Sequence, residues 1–526
     1  MAMAIAKGSV LLLVFTFLCF YDAIIPSHAS PDDFPQCLSA ASIPSQLVFT
    51  QRSPSFTSVL VSSIRNPRFF TPSTVRPQWI LTPTNASHVQ AAVVCGRRHG
   101  VRLRVRSGGH DYEGLSYRSQ RPEVFAVVDL SSLRAVRIDT RSTTAWVDSG
   151  ATLGELYYAV AQASDRLAFP AGLCPTIGVG GHLSGGGFGT LLRKYGLASD
   201  NVLDAVLVDA DGRLLDRTAM GSDVFWALRG GGGESFGIVL SWQVRLVPVP
   251  PTVTAFRIPV AAAGDGERAV DVVTRWQEVA PALPDDLFIR ALVQNQSATF
   301  ESLYLGTCDE LVPVMRRRFP ELGMNRTHCQ EMTWIQTVPY FFLGAGATVE
   351  DILNRTTSLS TYTKMTSDYV RQAIRRDAWV SIFGKLAEPN AGLMILDPYG
   401  GARIGAVPEP ATPFPHRAGV LYNIQYVSFW SANGDGSAHT KWVRDFYAFM
   451  APYVSSSPRE AYFNYRDLDL GENVVVGNVS SYEAGKVWGE KYFGDNYKRL
   501  AMVKGEIDPD DYFRNEQSIP PLVLGN

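Results

Sequence analysis

Between Gly172 and Gly189 the chain places eight glycines in eighteen residues, Gly172-Leu-Cys-Pro-Thr-Ile-Gly178-Val-Gly180-Gly181-His-Leu-Ser-Gly185-Gly-Gly-Phe-Gly189. Glycine at this density weakens a helix or a strand, because each one costs conformational entropy and packs nothing. It suits backbone that must come within van der Waals reach of a large flat or phosphorylated ligand. A second segment of the same character, Arg106-Ser-Gly-Gly-His-Asp-Tyr-Glu-Gly-Leu-Ser116, follows a strand-like run, and a third, Gly230–Gly233, leads into Glu-Ser-Phe-Gly237. Successive small residues after Arg106 let N–H groups converge on an anion such as a pyrophosphate; taken alone, the loop reads equally as a tight turn with His110 bonded locally. No pair of glycines completes G-x-G-x-x-G, so the nicotinamide fingerprint is absent.

Composition narrows the class. With 48 Lys+Arg against 50 Asp+Glu and no long single-sign run, the chain has no electrostatic footprint for nucleic acid or an anionic membrane. Its 46% hydrophobic content excludes disordered and collagen-like classes. At about 150 residues per domain, 526 residues make two to four domains.

Residues 1–29 combine Lys7, the apolar run Val10–Phe20 and the small residues Ser27-His28-Ala29. That pattern predicts a secretory signal peptide cut near Ala29, since the run is shorter than the roughly 20 residues a bilayer requires. No later window is apolar enough to span, so a protein free in the lumen or outside the cell is expected. Five sequons, at Asn85, Asn295, Asn325, Asn354 and Asn478, suit that route. Cleavage leaves five cysteines, an odd count for an oxidising compartment. Cys174, beside the glycine-rich run, is the natural odd one; Cys37–Cys95 and Cys308–Cys329 are then the pairs, the second left open. No Cys/His spacing suggests a metal site.

Hydrophobic patterning predicts strands at Val101–Val105, Val124–Asp129 and Val202–Asp209, a turn at Asp211-Gly212, and a strand at Arg213–Asp216. A helix is expected over Leu153–Ala163 behind Thr152 as N-cap. The Pro-rich stretch after Leu246 marks a boundary. Beyond it, helices at Arg268–Val279 and Val349–Leu359 and strands at Leu287–Gln294 and Ala418–Phe429 favour an α+β domain, and Tyr482–Phe493 reads as a late helix.

Longer strings carry a resemblance. Ser107-Gly-Gly-His-Asp-Tyr-Glu-Gly-Leu-Ser-Tyr117, Cys174-Pro-Thr-Ile-Gly-Val-Gly-Gly-His182, Asn464-Tyr-Arg-Asp-Leu-Asp-Leu-Gly471, Trp488-Gly-Glu-Lys-Tyr-Phe493 and Tyr512-Phe-Arg-Asn-Glu-Gln-Ser-Ile-Pro-Pro521 together resemble the plant berberine bridge enzyme-like family over essentially the whole mature chain. The resemblance implies an FAD-binding domain of the vanillyl-alcohol oxidase, PCMH type at 30–249 (core about 75–249), a substrate domain at 250–464, and a closing segment at 465–526. It implies FAD bonded twice, from the His110 imidazole to the 8α carbon and from the Cys174 sulfur to C6. Both positions demand a neutral imidazole or a thiolate as nucleophile. Around them Arg106, Ser107, Gly108, Gly109, Asp111, Ser116, Thr176, Gly178, Gly180, Gly181, His182, Gly185, Gly237, Ile238 and Asn464 fall where the family wraps the cofactor.

The same resemblance makes Tyr465 the base that takes an alcohol proton while hydride leaves for the flavin, provided something lowers its pKa; Arg466 would face away if the segment is a strand. Gln425, where berberine-forming members place a glutamate, can only hydrogen-bond substrate, and Tyr112 matches another active-site tyrosine. Phe188 and Asn423 replace a tyrosine and a lysine of monolignol-oxidising relatives, which favours a carbohydrate or another secondary alcohol. Ile177 sits at the family's oxygen gate, where one methylene beyond valine predicts slow reaction with dioxygen and a different, quinone-like acceptor. The expectation is a secreted, monomeric dehydrogenase that acts on a sugar hemiacetal or a phenylpropanoid alcohol, in the cell wall or, second, the vacuole. An oxygen-using oxidase and a catalytically silent wall or defence flavoglycoprotein are the alternatives.

Overall fold

The computed structural model describes residues 30–261, 267–344 and 346–523. The signal-peptide segment lies outside the described residues. Three sheets organise the chain. The first carries β1 (Val48–Thr50), β2 (Trp79–Leu81), β3 (Arg102–Arg106) and β4 (Phe125–Asp129) in the order β1-β2-β4-β3, with β2 and β3 both parallel to β4. Parallel strands covered on both faces read as near-continuous apolar runs, and β4 is buried at every position.

The second sheet holds β5 (Val136–Asp139), β6 (Thr144–Asp148), β8 (Val202–Val208), β9 (Leu214–Leu215) and β10 (Ile238–Arg245), ordered β5-β6-β10-β8-β9; β7 (Leu167–Ala168) and β11 (Val247–Pro248) pair beside it. Helix Leu153–Ala163 packs here behind the predicted cap, where Thr152 and Glu155 exchange side-chain and backbone bonds in a capping box.

A seven-stranded antiparallel sheet follows: β12 (Val253–Val260), β13 (Leu287–Gln294), β14 (Ser297–Tyr304), β15 (Gln330–Met332), β16 (Thr361–Val370), β17 (Leu393–Pro398) and β18 (Tyr422–Ser431), ordered β15-β12-β14-β13-β17-β18-β16. Helices Glu267–Val279, Cys308–Arg318, Arg376–Leu386 and Gly436–Met450 cover one face, where Trp276, Trp379 and Phe446 pack against Ile289, Leu396 and Ile424. Alternation sends the intervening side chains to the opposite face. The C-terminal helices Tyr482–Phe493 and Asn496–Ile507 return to the first half and bury Trp488, Tyr492 and Leu500 in its core.

Both expected disulfides are formed, Cys37–Cys95 and Cys308–Cys329, and Cys174 is free. All five sequon asparagines are exposed. No helix among the described residues is long and apolar enough to cross a membrane.

Two elements differ from expectation. Val349–Leu359 is not a helix but a short 3-10 turn, Glu350–Leu353. Only Ile352 of that turn is buried, and Arg355 is drawn off the helical path by Glu155 at 2.7 Å and the Gly150 carbonyl at 3.1 Å. The strand expected from Ala418 starts at Tyr422, because Gly419 adopts φ +75° and turns the chain first.

Candidate active site

A cavity of about 500 Å³ lies between the glycine-rich loops and the face of the seven-stranded sheet opposite those four helices, with Phe341 and Phe342 of helix Trp334–Phe342 at its border. Small-molecule sites run from about 300 to 1,000 Å³. Its first wall is backbone. β3 ends at Arg106 and delivers the loop to Ser116, in which Gly109 sits at φ +68° with the Ser63 carbonyl oxygen 1.9 Å from where a Cβ would stand. Gly108 lies against Gly178, so closely that a Cβ on Gly108 would be 2.2 Å from the Gly178 nitrogen. Only glycines permit that contact, and it brings the two loops together.

Their meeting places His110 and Cys174 on either side of one hydroxyl. Thr176 Oγ1 lies 3.0 Å from His110 Nε2 and 3.3 Å from Cys174 Sγ. Burial, and then the charge on Arg65, drives the His110 imidazole from 6.5 down to about 3, so it is neutral and nucleophilic at pH 7. Burial pushes the Cys174 thiol up, while bonds from Thr176 and the charge of Arg65 oppose it. The imidazole therefore meets its requirement as it stands. The thiol must lose a proton, and Arg65 is the cation that favours the thiolate.

The rest of this wall suits a bound cofactor. Among the described residues, Ser116 Oγ is buried without a partner and nothing stands within 4 Å of a Cβ built on Gly181, so bare backbone borders open space. His182 Nε2 accepts the Gly172 N–H at 3.0 Å, which leaves the proton of the neutral ring on Nδ1; burial lowers this imidazole to about 4. Asp111 stiffens its own loop by accepting from the N–H groups of Glu113 and Leu115 at 3.0 and 3.1 Å. Ser107 Oγ donates to the Ser149 carbonyl at 2.5 Å, and Asn464 Nδ2 donates to the His182 carbonyl at 3.0 Å. An unpaired thiol, a neutral imidazole, an orphaned hydroxyl and exposed backbone fit FAD.

The second wall is side chain. Phe288 and Arg290 of β13, Met365 of β16, Ile395 and Asp397 of β17 and Gln425 of β18 face the cavity. Tyr112 spans from the loop to this wall: Gln425 Nε2 donates to its hydroxyl at 2.5 Å, and its ring stacks on Tyr465 at 5.6 Å and 11°. Phe188 meets Tyr465 edge-on at 6.0 Å.

Tyr465 lies in a 3-10 turn, Phe463–Tyr465, rather than a strand. Arg466 borders the cavity too, at its loop end, where it pairs with Asp111 at 3.2 Å and Glu234 at 2.5 Å. The lowering that a base role requires is not provided: burial first, then Tyr112 and Asp397, hold the Tyr465 phenol well above its ordinary value.

Five expected site residues stand outside the cavity wall, the first being Thr176, which lies behind it with its hydroxyl on His110 and Cys174. Arg106 is fully buried beneath the loop, clamped to Asp129 at 2.5 Å and to the carbonyls of Val59 and Leu60, so it holds β3 rather than a ligand. Ile238 packs in the core with Leu103 and Val128. Gly185 leaves room for Asn464, whose Oδ1 would lie 2.1 Å from a Cβ there. Asn423 shares the face of β18 that carries Gln425 and stands opposite Asp397, but it is buried behind the wall, where it donates to the Asp368 carbonyl at 3.1 Å. Arg290 and Asp397 were missed; their signal is a charged residue inside an otherwise apolar alternating strand.

A cavity so walled, within an α+β chain closed by a C-terminal return segment, defines an FAD-dependent oxidoreductase. Residues 77–218 match the FAD binding domain model, the PCMH-type fold, and residues 461–520 match the model for berberine and berberine-like proteins. Berberine bridge enzyme-like Cyn d 4 of Cynodon dactylon is 63% identical over 491 residues, 93% of each chain. The chain belongs to the berberine bridge enzyme-like family.

Among solved structures, Bermuda grass isoallergen BG60 superposes with a TM-score of 0.91 at 63% identity, covering 93% of this chain and all of that one. Wild-type Phl p 4.0202, a glucose dehydrogenase, superposes with a TM-score of 0.91 at 59% identity, covering 94% of this chain and all of that one. An isoleucine-to-valine variant of Phl p 4 is a glucose oxidase.

Proposed function

We propose that this chain is a secreted dehydrogenase that carries FAD on two covalent bonds, from His110 to the 8α carbon and from Cys174 to C6, and oxidises the CH–OH carbon of an aldose hemiacetal. His110 and Cys174, which meet on the Thr176 hydroxyl and line the cavity that also holds Tyr112, Gln425 and Tyr465, carry the proposal. Residues 30–249 and 465–526 form the cofactor half and 250–464 the substrate half. Two disulfides and five exposed sequons suit an oxidising, extracellular compartment.

Bound FAD supplies the two-electron acceptor for hydride. The chain's own residues bind and orient the alcohol. Gln425 and Tyr112, joined to each other, offer a hydroxyl and an amide to the substrate oxygen, while the Tyr112–Tyr465 stack fixes the phenol of Tyr465 beside them. Tyr465, as a neutral phenol, can take the hydroxyl proton only if its own passes to a group already ionised.

An aldose is favoured over a phenylpropanoid alcohol for two reasons. Phe188 carries no hydroxyl and Asn423 no charge, its amide being spent on the Asp368 carbonyl, so the tyrosine–lysine pair of monolignol oxidation has no counterpart. A relative at 59% identity is a glucose dehydrogenase.

The acceptor is a small molecule other than dioxygen. Ile177 is anchored on both sides, its N–H donating to the Cys174 carbonyl at 3.3 Å and its carbonyl accepting from Leu153 at 2.9 Å, and its side chain lines the cavity. The exchange that separates oxidase from dehydrogenase in Phl p 4 is the one this position invites.

Acid precipitation of purified protein should keep the yellow colour in the pellet, and anaerobic addition of an aldose should bleach it. Colour released into the supernatant would remove the covalent attachment. Colour retained without bleaching by any aldose or cinnamyl-type alcohol would leave a silent flavoglycoprotein.

A further inference from the structure

Across the cavity face of the large sheet, charge alternates from strand to strand. Arg257 of β12 and Arg290 of β13 both stand opposite Glu301 of β14 and share its carboxylate, at 2.6 and 2.5 Å. β17 comes next, with Leu396 opposite Ala291, which sets Asp397 beside Arg290. The guanidinium of Arg290 is thus already committed to Glu301. Asp397 has no ion pair within bridging distance and accepts no hydrogen bond from any donor among the described residues.

This carboxylate is 5% exposed and borders the cavity. A buried carboxylate with no donor is costly, and native structures keep such groups where a ligand or water supplies the donors. Burial raises its pKa to about 6, with Arg290 opposing and Glu301 adding. The other titratable groups that feel it are the phenols of Tyr112, Tyr399 and Tyr465, all held neutral. Asp397 is therefore the ionised acceptor in this corner at neutral pH, and it stands on the same wall as Gln425, whose strand partner is Ile395.

We propose that Asp397 is the acceptor for the substrate's hydroxyl groups, its two oxygens taking neighbouring O–H donors, so that the site selects a polyhydroxylated molecule over an alcohol with a lone hydroxyl. Charge-assisted bonds of this kind are about twice as strong as neutral ones, and a lone-hydroxyl alcohol can satisfy only part of the carboxylate. The proposal rests on the aldose reading above and names the residue that enforces it.

The test is calorimetric binding of a deoxy sugar that lacks the anomeric hydroxyl, and so cannot be oxidised, to the flavin-loaded wild type and to Asp397→Asn. The wild type should bind it, and Asp397→Asn should bind roughly 10- to 100-fold more weakly. Wild-type affinity should fall as pH drops through about 6, and the variant should lose that dependence. A cinnamyl-type alcohol should bind both proteins equally. Retained covalent flavin and an unchanged melting temperature show that the variant is folded.

Equal binding of the deoxy sugar by both proteins, or none by the wild type, overturns the role of Asp397. Binding that depends on Asp397 without bleaching by the parent aldose upholds Asp397 and removes the proposed activity. Bleaching with an unchanged KM in Asp397→Asn does the reverse.

Discussion

The loop wall of the cavity is made of backbone and the sheet wall of side chains. On the loop wall, chemistry comes from two residues, His110 and Cys174, held in place because Gly108 and Gly178 let two loops touch. On the sheet wall, chemistry comes from single positions on separate strands, Arg290, Asp397 and Gln425, whose alignment is set by register. A backbone wall fits one large invariant partner closely. A side-chain wall can change its ligand by one substitution without touching the other wall. On the proposed reading, cofactor capture falls to the loop wall and substrate choice to the sheet wall.

Substitutions that trespass across this division would break it. The largest effect is expected from the double variant His110→Ala/Cys174→Ala, which should lose all acid-stable colour while each single variant keeps it. Substrate-wall variants such as Asp397→Asn should keep the full covalent load. Loss of flavin in the latter, read from the absorbance of the precipitated protein, would merge the two walls into one function.

On the sheet wall, Glu301→Gln leaves Arg257 and Arg290 facing each other without their shared carboxylate. Urea unfolding should show a loss of about 2–3 kcal/mol. An unchanged midpoint would mean that the alternating charges contribute nothing to the sheet.

Legibility followed the same division. The glycine strings, the odd cysteine and His110 were readable because a loop that wraps a cofactor is contiguous in sequence. Arg106 belongs to the same string yet serves the fold from below, clamped to Asp129, because sequence adjacency does not say which side of a loop a residue faces. Arg290 and Asp397 come from different hairpins, so no local pattern joins them; only strand pairing does. Tyr465 and Gln425 were found through family resemblance alone, since a lone tyrosine or glutamine carries no spacing signal. The false helix at Val349–Leu359 had apolar spacing but lost to the ion pair of Arg355 with Glu155.

Four smaller effects sharpen the picture of the loop wall. Gly108→Ala drives a methyl into the backbone of Gly178 and should cost about 1–3 kcal/mol in unfolding. Gly181→Ala meets nothing in the protein and should stay within about 0.5 kcal/mol, yet lower the flavin-to-protein ratio, because its methyl enters the cofactor's space.

For pH, His182 is lowered by burial from 6.5 to about 4, so between those values the unfolded chain binds more protons than the folded one. Its contribution is complete above 6.5 and is lost as pH falls towards 4. His182→Gln should flatten that part of a stability-versus-pH curve, and a curve of unchanged slope would rule the histidine out. Ile177→Val should speed reoxidation of the reduced protein by dioxygen in stopped flow, with the acid-stable colour unchanged. A rate no faster than wild type would remove the packing explanation for acceptor choice.

Peptide mapping of the matured yellow protein tests the central claim most directly. The peptides containing His110 and Cys174 should be recovered joined to each other through one flavin. Recovery of both at their unmodified masses from fully coloured protein would contradict it.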